Sequence, residues 1–429
     1  MDTGFITEQI ISFMFERADR YTDYLSLIGN GQFTIVYSGQ HEEAASNFFR
    51  NTVIEIDGLR QKTDTAVFSR SSDWLRWVQK HKKESEGIGL VIVSENDADI
   101  DKYSYEPVRG LLAEIPEHIL VKINALISAN GSICISHLSQ MEEFVKHSIL
   151  GRYVIERIED KHNNILNEHL RLGSDWGKTF IFMLFDTIAI SNERNRRHFN
   201  TLAQRIGYDT ILQHLDDTLS IEALLFGTSG LLRLVRPNDD YTVSLVKRFA
   251  ELTKSYKLEV MDCMLWDFST VNPSNSLCVV IAQLATILVW YKDNYISVAN
   301  DLSIQEVFEM VSYGTSPYWY THDKLSGEPK DAMGERIMSK NRQERMIING
   351  IIPYLFAFYK LNGIYDNNDK LLDILEKING ESNYITRKWS KYGIISTNSM
   401  VSQAVTQIEK IYCRRHLCAH CQLGRMLIG

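Results

Sequence analysis

Up to about residue 115 the apolar positions fall in short runs rich in β-branched residues. Gln32–Ser38 (QFTIVYS), Thr52–Asp57 (TVIEID), Thr65–Ser69 (TAVFS) and Gly89–Ser94 (GLVIVS) read as strands. Asp57-Gly58 follows the second as a turn signal. Ser72-Asp73 reads as the cap of a short helix, WLRWVQKHKK. Thr7–Tyr21, with Ile10, Ile11, Phe13, Met14 and Phe15, predicts an opening helix. From Pro116 the period becomes helical. Leu120–Ser128, Met141–Leu170, Trp176–Ile190, Glu193–Ile206, Val243–Tyr256, Val279–Tyr291, Ile304–Val311, Ile351–Leu361, Lys370–Ile378 and Ser399–Tyr412 all suit helices. Tyr313–Gly334 carries several breakers and reads as a long loop. The expected fold class is α+β. A small N-terminal mixed α/β domain, residues 1–115, precedes a larger, mostly α-helical domain, residues 116–429.

Composition narrows the class. Of 429 residues, 44% are hydrophobic and 23% charged, which suits a globular chain and excludes a mainly disordered one. With 46 basic and 54 acidic residues the net charge is −8, which argues against a uniformly basic nucleic-acid coat and leaves a local patch open. No apolar run reaches the ~18 residues of a membrane span. The opening residues lack the basic stretch of a signal peptide, so the expectation is a cytoplasmic protein without a membrane partner. Six cysteines are too few for a disulfide scaffold.

Three of those six lie close together, as Cys413-x4-Cys418-x2-Cys421, with His416 and His420 interleaved. Thiolates at this spacing suit a tetrahedral zinc or an iron–sulfur cluster. The fourth ligand is open: His416 or His420 for zinc, or a distant Cys134, Cys263 or Cys278 for a cluster. The expected role is structural.

The strings SIEALLFGTSGLL (Ser220–Leu232), NPSNSLCVVIAQLATIL (Asn272–Leu288), YWYTH (Tyr318–His322), IINGIIPYLFAFYK (Ile347–Lys360) and YCRRHLCAHCQLG (Tyr412–Gly424) resemble an uncharacterised bacterial family, domain of unknown function 2851. Its members tend to show Gly-Pro-Asp-Phe, then Val-Glu-Ile-His, then Ser-Asp-Trp. That order is similar to the metal site of restriction-endonuclease-like nucleases, with an acid on one strand and Glu-x-Lys on the next. Two such carboxylates hold a divalent cation that activates water. With Ser72-Asp73-Trp74 setting the register, the Asp position falls on Phe48, the Glu position on Ala66 and the His position on Phe68. The resemblance therefore implies a nuclease-like core that has lost its ligands, since no apolar side chain binds a hard cation.

Three functions compete. The first is a non-catalytic protein on a degenerate nuclease-like fold that binds nucleic acid or a protein partner, and is not an enzyme. The second is an active metal-dependent nuclease with relocated acids; Glu55 and Asp57 are the nearby pair on one strand. The third is a structural or assembly protein with a metal staple. Candidate phosphate contacts are Arg196 and Arg197, and Arg414 and Arg415 beside the cysteines. The aromatic loop Tyr318, Trp319, Tyr320 and His322 offers faces for stacking bases or for packing on its own domain.

Overall fold

The computed structural model describes residues 3–29, 33–41, 47–100, 108–269, 276–298, 303–331, 334–364 and 367–429. Gln32, residues 272–275 and residues 332–333, all within segments named above, lie outside these ranges. The protein is a mixed α+β structure with its sheet at the N-terminal end and a mostly helical remainder.

The sheet contains β1 (Leu25–Leu27), β2 (Phe33–Tyr37), β3 (Gln40–His41), β4 (Phe48–Ile56), β5 (Leu59–Arg70), β6 (Ile88–Glu95) and β7 (Arg109–Ala113). Their order is β1-β7-β6-β5-β4-β2, with β3 paired to the start of β4. β4 and β5 form a hairpin closed by Asp57 and Gly58, at φ 51° and 81°. Positive φ at both turn residues matches the right-handed twist of the flanking strands, and Asp-Gly tolerates it. β6 is parallel to β5, so the chain must cross over between them, and the helix Ser71–Lys80 makes that crossing.

Alternation along β5 sends its side chains to two faces. Val67 packs with Ile11 and Phe15 of the opening helix Thr3–Phe15, and with Phe49, Leu90 and Ile92. Ala66 and Phe68 point the other way, toward Trp74 of the crossing helix and Val91 and Val93 of β6. The sheet is thus covered on both faces. The crossing helix is not capped by Ser72 and Asp73 as the sequence suggests. It starts at Ser71, and Asp97 caps it from beyond β6, accepting from the Ser72 N–H at 2.8 Å and from the Ser71 and Ser72 hydroxyls at 2.9 and 2.7 Å.

By compactness the chain divides into a first unit, Met1–Tyr153, Asn383–Ile395 and Ala404–Gly429, and a second, Val154–Ser382 and Ser396–Gln403. Pro116 marks where the strands stop, and the first unit continues beyond it through the helices Glu117–Ser128 and Ser132–Gln140. The second unit is helical. Every residue of its helix Thr218–Thr228 from Ser220 onward is buried. A Cβ on Gly227 would lie 2.1 Å from the Phe249 ring, so glycine is what lets this helix and Asp240–Tyr256 pack closely. Among the described residues no single helix is long and apolar enough to cross a membrane.

Candidate functional site

Phe48 on β4 is the direct cross-strand partner of Ala66 on β5. Phe68, two residues on, shares the face of Ala66. The Phe48 ring lies 4.9 Å from that of Trp77 and 6.3 Å from that of Phe68, which lies 5.7 Å from Trp74. Aromatic carbon therefore fills the space in front of Ala66. Carboxylates near this strand pair are engaged elsewhere. Asp64 pairs with Arg50 at 2.6 Å, Glu55 with Arg60 at 3.0 Å, and Glu8 accepts from Asn47 Nδ2 at 2.9 Å and the Ser69 N–H at 3.1 Å. Asp57 sits in the hairpin turn.

The second candidate is a cavity in the first unit. Cys134, Cys413, Cys418 and Cys421 line it, together with Leu126, Ile127, Ile135, Trp389, Ile408 and Tyr412. Local backbone geometry brings the four sulfurs there. Gly131, at φ 85°, starts the helix that carries Cys134. A Cβ on Gly131 would lie 3.4 Å from Cys413 Sγ. The helix Ser399–Gln407 runs on as a π-helical stretch, Ile408–Cys413, which delivers Cys413 at its end. His416, at φ 56°, then reverses the chain, and Cys421 precedes the last helix, Gln422–Ile428. A Cβ on Gly424 would lie 2.1 Å from the Cys418 carbonyl oxygen, so this helix turns tightly over the cysteine loop.

In every one of the six pairings, the negative charge of one thiolate disfavours ionisation of another. Burial, and then these mutual charges, push Cys134 and Cys418 up to about 12 and raise Cys413 as well. The Tyr153 hydroxyl lies 3.3 Å from Cys421 Sγ and accepts a bond from the Gln422 N–H at 2.8 Å. Toward a deprotonated Cys421 sulfur the hydroxyl would be the donor. Lys388 and the buried Glu409 form an ion pair at 2.8 Å, and Trp389 Nε1 donates to the same carboxylate at 3.2 Å. Cys263 and Cys278, the other distant candidates, belong to the second unit.

The two histidines of the cysteine run do not line this cavity. His416 forms the left-handed turn. His420 faces Glu16 and His41, and the ligand-type atoms of these three lie within 4.8 Å of one another. His41 Nδ1 is 3.0 Å from Glu16, Arg425 takes the other Glu16 oxygen, and the His41 ring stacks on Phe49. Burial, then the charges of His41 and Arg425, push His420 down to about 4, so it is neutral at pH 7. Burial favours a protonated Glu16, but the hydrogen bond to His41 and the Arg425 charge outweigh it and hold the carboxyl below its usual range.

Beside this trio is a pocket lined by Arg17, Arg20, Arg152, His420 and Arg425. Arg17 lies over the Phe13 ring at 4.2 Å, and its Nη1 is buried with no hydrogen-bond partner. Burial, and then the Arg425 charge, lower the Arg17 pKa, with the Glu16 carboxylate opposing them in part. Sequence reasoning missed this pocket. Its arginines come from three remote segments, and no local spacing announces them.

The arginines singled out in the sequence have other surroundings. Arg196 is tied to Asp186 at 2.6 Å, and Arg197 to Glu193 at 3.2 Å. Arg414 lies over the Tyr384 ring at 5.1 Å, and Arg415 is exposed. The aromatic loop packs within the second unit. Trp319 is fully buried, stacked on Phe226, and donates to the Tyr241 hydroxyl at 3.1 Å, while Tyr318 stacks on Tyr241 and His322.

A family model described as "Protein of unknown function (DUF2851)" matches residues 8–384. The match includes the strand pair and ends before Cys413, so the string YCRRHLCAHCQLG lies beyond it. No curated protein and no solved structure matches the chain.

Proposed function

We propose that this chain, which belongs to that family of unknown function, is a non-catalytic nucleic-acid-binding protein built on a degenerate nuclease-like core. The observation that carries this reading is Phe48 standing opposite Ala66. A site with an acid on one strand and Glu-x-Lys on the next needs those two positions to be neighbours across a ladder. Here they are neighbours and both are apolar. Without oxygen ligands at these positions, this strand pair cannot hold Mg²⁺ or use it to activate water.

Binding is supported by the arginine pocket. Guanidinium groups match phosphate geometry, and a buried Nη1 without a partner is a donor awaiting an acceptor. The net charge of −8 confines attraction for a polyanion to such a patch.

The test incubates purified full-length protein with labelled DNA or RNA and Mg²⁺ or Mn²⁺. The expected result is no cleavage, and cleavage abolished by EDTA would overturn the proposal. Filter binding across a salt series examines the other half. Log affinity should fall linearly with log salt, and an absence of salt-dependent binding would leave no nucleic-acid role.

A further inference from the structure

We propose that Cys134, Cys413, Cys418 and Cys421 together hold one four-iron, four-sulfide cluster, which fastens the C-terminal segment to the helix Ser132–Gln140. This inference goes beyond the nucleic-acid reading and does not depend on it.

The donor set comes first. Four thiols, and no other metal-ligating side chain, line one mostly apolar cavity. Four cysteines suit zinc or an iron–sulfur cluster. Spacing separates the two. Zn–S bonds of ~2.3 Å at a tetrahedral angle put sulfurs roughly 3.8 Å apart. Among the described residues, the group of three ligand atoms mutually within 4.8 Å is Glu16, His41 and His420, so no three of these four sulfurs approach that closely. In a four-iron cluster each thiolate binds a different iron, which holds the sulfurs roughly 6 Å apart. All four still line the same cavity.

The surroundings suit the cluster. Four buried thiolates without a cation would repel one another, and iron removes that cost. The Tyr153 hydroxyl, aimed at Cys421 Sγ, supplies the outer hydrogen bond that sulfur ligands of such centres accept. Protein would fill all four iron positions, leaving no opening for substrate, so the role is structural.

The experiment uses the full chain purified without oxygen and, in parallel, the same protein reconstituted with ferrous iron and sulfide under reducing conditions. Iron, zinc and acid-labile sulfide are measured per chain, with the visible spectrum. About four irons and four sulfides per chain, with a broad absorption near ~400 nm, are expected. One zinc without sulfide, or neither metal after reconstitution, overturns the proposal. Cys134→Ser should lose at least one iron per chain, whereas Cys263→Ser, in the second unit, should retain all four. Unchanged iron content in Cys134→Ser overturns Cys134 as the fourth ligand. Should that variant fail to fold, the wild type decides. Four irons and four sulfides per chain in the anaerobic wild type support the cluster, and one zinc without sulfide overturns it.

Discussion

Phe48 and Ala66 face one another across the β4–β5 ladder, with the rings of Phe68 and Trp77 closing the space between them. Ala66 is fully buried. A carboxylate placed there would have no cation to meet and no water to solvate it. Ala66→Glu is therefore expected to cost roughly 3–5 kcal/mol, by overpacking and by an unpaired buried charge. Urea unfolding of both proteins measures this. A loss below about 1 kcal/mol would mean that the pocket in front of Ala66 is wet and roomy, contrary to its aromatic filling.

The arginines make opposite predictions in two places. Arg20 and Arg152 are exposed at the rim of the arginine pocket. Replacing either with Ala should change stability by no more than about 0.5 kcal/mol. Each replacement should also reduce the salt slope of nucleic-acid binding by about 0.9. Arg196 instead holds Asp186 through two side-chain bonds. Arg196→Ala should lower the melting temperature and leave the salt slope alone. Melting curves and filter binding on the three variants give the comparison. A weaker slope for Arg196→Ala alone would move the nucleic-acid surface to the second unit.

Tyr153 serves two neighbours in succession on the chain, Cys421 and Gln422. Tyr153→Phe keeps the ring, which meets Tyr412 edge-on at 5.4 Å, and removes only the hydroxyl. The Gln422 N–H then loses its acceptor, a cost of about 1–3 kcal/mol. A donor to a metal-bound thiolate is charge-assisted, so the loss should be larger in iron-loaded protein than in protein stripped by a chelator. Denaturant unfolding of the two forms checks this, and equal losses would mean that the hydroxyl serves only the backbone.

Much of this architecture is legible in the sequence, and the remainder is hidden for identifiable reasons. β4 and β5 are visible from their β-branched centres. In β4, Arg50 and Asn51 form an irregularity in the ladder, with Asn51 at φ 60°, and in β5 Leu59–Lys62 are all exposed, so neither stretch shows a strand's alternation in the sequence. β1 and β3 are two or three residues long and draw their stability from partners, so no local signal marks them. The helix Thr218–Thr228 is apolar on all sides because it is buried on all sides, which erases the helical period. In the site, the spacing of Cys413, Cys418 and Cys421 is local and can be read directly. Cys134 stands out among three distant cysteines only when the left-handed turn at Gly131 and the π-helical stretch ending at Cys413 bring their sulfurs to one cavity. Arg17, Arg152 and Arg425 meet by tertiary packing alone.

A last prediction concerns pH and lies in the second unit. Glu222 is 1% exposed, in the middle of the helix Thr218–Thr228. Burial pushes its carboxyl up to about 7, although bonds from Ser316, at 2.8 Å, and from Tyr241 and Trp319 work in the opposite direction. An unfolded chain would titrate this group near its ordinary value of 4.5. The folded state therefore binds more protons than the unfolded state between about pH 4.5 and 7. Stability from this group is fully present below that window and falls as pH rises through it, by at most about 1.4 kcal/mol per pH unit. Glu222→Gln keeps the shape and stays neutral, so it should remove this part of the slope and stabilise the protein above pH 7 relative to wild type. Urea unfolding at pH 5, 6, 7 and 8 compares the two. Parallel stability curves for wild type and variant would show that Glu222 is ionised throughout, stabilised by Ser316, Tyr241 and Trp319 despite its burial.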